Sequence, residues 1–112
     1  MAQSYHLDAD DMAWSCHKQQ GVSYKTLRFE SNDKSGAMMV HMCPGSQYPE
    51  YEATCGQDVL VVDGELLVGE LALPRGSYLH VAPDEPHSPH SKTGCVLFVS
   101  FPGAVKHKES QS

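Results

Sequence analysis

The feature that most limits what this chain can fold into is its punctuation. Between Gly21 and Gly103, short runs rich in Val, Leu, Tyr and Phe are broken every few residues by Gly, Pro, Asn, Asp or Ser. No run is long enough for a substantial helix. Closely spaced short strands between turn residues predict an all-β sandwich or barrel. The predicted strands are residues 22–29, 37–43, 47–53, 57–63, 65–71, 77–82, 86–91 and 96–101. Asp63-Gly64 reads as a tight turn between two of them. Asp8 is placed to cap a short helical turn toward Met12, and Trp14 is expected to close one end of the barrel. The run Val59-Leu60-Val61-Val62 is apolar without a break, which predicts a strand buried on both faces. A second sheet or another subunit would have to cover its outer side.

A chain of 112 residues supports one domain, and 40% hydrophobic residues supply a core without cross-links. The expected organisation is an N-terminal segment packed on the barrel (residues 1–20), the barrel itself (21–104) and a polar, flexible tail (105–112). With 14 acidic and 8 basic residues the formal charge is −6, which argues against a nucleic-acid partner. No apolar run is long enough to span a membrane, and residues 1–11 are polar and acidic rather than signal-like, so a cytoplasmic location is expected. Cys16, Cys43, Cys55 and Cys95 form no Cys-x-x-Cys pair and are expected to be reduced thiols.

Three stretches carry a family resemblance: Pro44-Gly45 with Pro49, Val61-Val62-Asp63-Gly64-Glu65, and Pro83-Asp84-Glu85-Pro86-His87. With Gly21-Val22, Gly76-Ser77-Tyr78 and Gly94-Cys95 in order, the chain resembles the ChrR-like cupins. That class includes the C-terminal domain of zinc-dependent anti-sigma factors and acetylacetone-cleaving dioxygenases. The resemblance implies a single cupin (RmlC-like) β-barrel or jelly roll, and a homodimer paired through its sheets. The anti-sigma members also carry a helical zinc domain with a His-x-x-x-Cys-x-x-Cys motif, and no such motif occurs in these 112 residues.

The resemblance also places the family's metal ligands. Its His-x-His pair falls on Tyr51 and Ala53, its acid on Gln57, and its last His on His87. Residues two apart on a strand share a face, so Tyr51 and Ala53 should point inward and Glu50 and Glu52 outward. Ala53 has no donor atom, Gln57 has lost the charge, and Tyr51 could donate only as phenolate, far from its ordinary titration range. A divalent metal (Zn, Fe or Ni) on His87, Gln57 and Tyr51 would then be weakly held. Substitute donors exist in His41, Cys43 and Cys55, although buried apolar cysteines and a surface His are the plainer reading. His87 and His90 are three apart and should face opposite sides of a strand. Met38, Met39 and Met42 read as core filler or as lining of an apolar cavity.

The function these observations support is a non-catalytic cupin that binds or senses a small molecule. Its expected pocket is lined by Tyr51, Ala53, Gln57 and His87, with no catalytic residue and no cofactor. The alternatives are a metal-dependent dioxygenase with non-standard ligands and a protein-interaction module.

Overall fold

In the computed structural model, residues 4–107 are described here, with only the backbone of residues 106 and 107. The described residues form twelve strands: β1 (Ser15–Cys16), β2 (Val22–Phe29), β3 (Gly36–Met42), β4 (Ser46–Gln47), β5 (Tyr51–Ala53), β6 (Gln57–Val68), β7 (Leu71–Pro74), β8 (Tyr78–Val81), β9 (Pro86–His87), β10 (His90–Ser91), β11 (Cys95–Phe101) and β12 (Val105–His107). All pairings are antiparallel. The main sheet runs β1-β2-β3-β11-β6-β10-β4, with β7 and β8 also on β6, and a smaller sheet runs β12-β5-β9. The molecule is an all-β barrel, as the turn spacing predicted.

Alternation builds the interior. On β11, Cys95, Leu97, Val99 and Phe101 are buried and the residues between them are not. Val40 and Met42 on β3 and Val59, Val61 and Leu66 on β6 complete the same apolar layer.

β6 departs from expectation. Asp63-Gly64 does not end a hairpin, because β6 continues through it. Opposite β11, Leu97 pairs with Val61 and Val96 with Asp63, so Val62 is the extra residue of a bulge. Gly64 follows at φ +79, and a Cβ there would lie 2.1 Å from the Gly94 carbonyl oxygen. The bend lets one strand serve two parts of the barrel: its first half pairs with β8, its second with β7 and β10. The true hairpin is two residues long, at Gly69-Glu70, with Gly69 at φ +58.

The outer face also differs. Val59 and Val61 are buried, but Leu60 and Val62 are 41% and 40% exposed. β6 is therefore covered on one side only within the chain. The continuous apolar run hid an ordinary alternation, because its outward positions are apolar too.

The N-terminal segment crosses the outside of β2 and β3. A 3-10 turn (Ala9–Asp11) is capped by Asp8, whose carboxylate accepts from the Asp10 amide. Lys25 donates from Nζ to the Ala9 carbonyl at 2.5 Å and lies 4.4 Å from the centroid of the Trp14 ring. Trp14 also packs on His41 at 5.6 Å. His41 points away from the buried face of Val40 and Met42, so Trp14 sits on the sheet exterior rather than at an end of the barrel. At the other terminus, Val105–His107 does not trail as a tail but pairs with Tyr51–Ala53. Residues 108–112 lie outside the described residues.

Candidate functional site

The barrel encloses a cavity of about 340 Å³. Its walls are apolar: Met38, Val40 and Met42 from β3, Val59, Leu66 and Val68 from β6, and Leu97, Val99 and Phe101 from β11. Polar groups enter from one sector, through Tyr48, Tyr51, Gln57 and His87. β5 presents Tyr51 inward because its parity is set by pairing with β12 on one side and β9 on the other. The β5–β9 register places Tyr51 directly opposite His87.

Three of the four expected pocket residues, Tyr51, Gln57 and His87, line the cavity. Ala53 is fully buried but is not part of the wall. Its β12 neighbour Val105, directly opposite, lines the cavity instead.

The Tyr51 hydroxyl donates to Gln57 Oε1. Burial, and then the neighbouring Tyr48, push the Tyr51 phenol well above the usual tyrosine range. The Tyr48 phenol is pushed up to about 12, chiefly by burial and then by Tyr24. Both are neutral phenols at ordinary pH. Tyr48 stands edge-on to Tyr51 with centroids 5.5 Å apart, and Tyr51 lies 6.2 Å from His87. His87 Nε2 is buried without a hydrogen bond and stands 3.4 Å from Glu85 Oε1. Ser88 joins no catalytic group: its hydroxyl donates to the Tyr48 carbonyl at 3.0 Å and accepts from Gln47.

The ChrR cupin-like domain family matches residues 2–105 of this sequence. The chain belongs to that family. No curated protein matches it. Among solved structures, an RmlC-like cupin from Ralstonia eutropha superposes with a TM-score of 0.84 at 17% identity, covering 96% of this chain and 74% of that one. An acetylacetone dioxygenase from Acinetobacter johnsonii gives 0.82 at 12% identity, covering 98% and 80%. A chain of the Rhodobacter sphaeroides SigE complex with the anti-sigma ChrR gives 0.70 at 16% identity, covering 84% and 51%. At these identities the likeness is one of fold.

The residues of this cupin do not fit the metal that the resemblance implies. Position 53 offers a methyl group. Gln57 Oε1 already accepts from Tyr51, and Tyr51 holds its proton. Among the described residues Glu85 is the one carboxylate paired with His87, and a stable site needs three or four converging donors. Among the described residues, no three His, Cys, Asp or Glu side chains converge. The substitute donors are dispersed: His41 packs under Trp14 on the outer face, and Cys43 and Cys55 are exposed. Those two cysteines are thus not the small buried hydrophobes expected of them, whereas Cys95 is buried, and all four are free thiols. His87 and His90 stand on strands of different sheets and form no pair. Of the methionines, Met38 and Met42 line the cavity, and Met39 lies on the opposite face of β3.

Sequence reasoning missed Tyr48, Phe29 and Lys34 as lining residues. Lys34 belongs to the polar turn before β3, where only its positive φ of 65 marks it out. No sequence pattern carries that signal.

No helix of the described residues is long and apolar enough to cross a membrane.

Proposed function

We propose that this cupin is a non-catalytic binding or sensing protein whose barrel holds a small, mainly apolar molecule carrying a hydrogen-bond acceptor. Gln57 is the observation that carries this reading. It is 4% exposed and lines the cavity, and its Oε1 is taken by Tyr51. Its amide nitrogen makes no hydrogen bond with the described residues. The amide thus offers two N–H donors at the cavity wall, from which a carbonyl oxygen on a ligand can accept. Beside it in the same lining, His87 Nε2 is buried without a hydrogen bond. A cavity of about 340 Å³ lies at the small end of ligand pockets.

Calorimetric titration with 2-octanone tests this. Saturable binding is expected, weakened roughly tenfold in Gln57→Leu by loss of one hydrogen bond. No saturable binding overturns the reading. Elemental analysis of protein purified without chelator or His-tag is expected to find substoichiometric metal, with melting unaffected by chelator. Stoichiometric metal that is lost in His87→Ala would instead favour an iron or zinc dioxygenase holding its metal with His87, Gln57 and Tyr51.

A further inference from the structure

The cavity opens where three of its lining residues, Phe29, Lys34 and Ala104, are exposed. The lining contains no Asp, Glu or Arg, and Lys34 is its one lysine. The acids closest to it in sequence are already engaged. The Asp33 carboxylate accepts from the Ser35 amide at 3.0 Å and its hydroxyl at 2.7 Å, and Glu30 pairs with Arg28 at 3.1 Å. The Lys34 ammonium lies 5.9 Å from the centroid of the Phe29 ring at the same opening. Its backbone is held at φ +65, a region a lysine seldom occupies, while its amide donates to the Glu30 carbonyl at 2.8 Å. A strained residue at a cavity mouth is a reason to look for function.

The interior is less suited to an anion. Gln57 is neutral, Tyr48 and Tyr51 keep their protons because burial disfavours the phenolate, and the one imidazole of the lining, His87, already faces the Glu85 carboxylate at 3.4 Å. A carboxylate placed deep among Met38, Val40 and Leu97 would be desolvated without a counter-charge. At the mouth it keeps part of its hydration and meets an ammonium.

We propose that the molecule held here is a medium-length, mainly apolar monocarboxylate with a carbonyl along its chain, bound with its carboxylate on Lys34 at the mouth and its carbonyl inward toward Gln57. This rests on the ligand-binding reading above and adds the ligand's class and orientation.

The test is calorimetric titration of the full chain with octanoate and with methyl octanoate, at low and high salt. Octanoate is expected to bind roughly fivefold tighter than the ester, the order of a partly exposed ion pair. High salt should narrow that gap. Lys34→Asn should abolish it, since Asn tolerates the left-handed backbone and keeps the loop while removing the ammonium. Lys34→Arg should restore it. A preference that survives Lys34→Asn overturns the proposal, and so does one lost in Gln57→Leu, which would put the carboxylate inside. Binding of 2-octanone without any octanoate preference overturns this inference and leaves the ligand-binding reading standing. Binding of none of the three overturns both.

Discussion

Tyr51 and Gln57, six residues apart on consecutive strands of different sheets, are joined inside the barrel by a hydrogen bond from the phenol to the amide oxygen. Both side chains are buried, and both stand where the resemblance would put metal ligands. The pair turns two would-be metal positions into one neutral hydrogen-bonding unit.

That unit should show up as coupling. Tyr51→Phe leaves the Gln57 oxygen unpartnered in the cavity wall and is expected to cost about 1–3 kcal/mol. Gln57→Leu leaves the buried hydroxyl without this acceptor and should cost a similar amount. The double variant should lose less than the sum of the two, because neither polar group remains to be left unsatisfied. Urea unfolding of the three variants measures this. Strict additivity would mean that the two side chains do not act together.

Alkaline pH tests the burial of the phenols. The Tyr48 pKa is raised to about 12 from an ordinary 10, so the folded state favours the neutral phenol. Its contribution is complete below pH 10 and is lost as the pH rises from 10 toward 12, worth about 2–3 kcal/mol at the top of that window. Stability should be flat with respect to this group below pH 10 and fall above it. Ultraviolet tyrosinate absorbance should show Tyr48 and Tyr51 ionising only together with unfolding. Ionisation of every tyrosine near pH 10 in folded protein would contradict the packing.

Gly64 and Gly69 both have positive φ, yet their substitutions should differ. A Cβ on Gly64 meets the Gly94 carbonyl oxygen at 2.1 Å, whereas one on Gly69 meets nothing within 4 Å. Gly69→Ala should cost about 1 kcal/mol, for the left-handed backbone alone. Gly64→Ala carries that strain and must also push β6 off the Gly94 loop, so a loss of about 3 kcal/mol or more is expected. Thermal melting of both variants decides; equal losses would mean the bend is not fixed by that contact.

The outer face of β6 is expected to be a dimer interface. Leu60 opposes Tyr78 on β8 and Phe98 on β11, and Leu60, Val62 and Tyr78 are all exposed. A second copy related by a two-fold axis would cover the same residues on each partner. Light scattering should report a dimer, and Leu60→Asp combined with Val62→Asp should give a folded monomer. A monomeric parent at working concentration would count against this.

Which residues share a face was written in the sequence. Tyr51 and Ala53 point inward, β11 buries every second residue, and β2 spans the predicted residues 22–29, because strand parity is a local property with a period of two. What each face meets depended on partners distant in the chain. Asp63-Gly64 carries the same signal whether it closes a hairpin or bends a strand, and the Gly94 loop across the sheet decided for the bend. Trp14 gave no sign that it would lie on His41 and Lys25 outside the sheet. Nor did Ala53 show that Val105 would take its place in the cavity wall. Lys34 joined the cavity lining only through the fold, which brings its ammonium to 5.9 Å from the Phe29 ring centroid. Local pattern set orientation. Long-range antiparallel pairing set neighbours, and neighbours made the cavity and brought Lys34 to it.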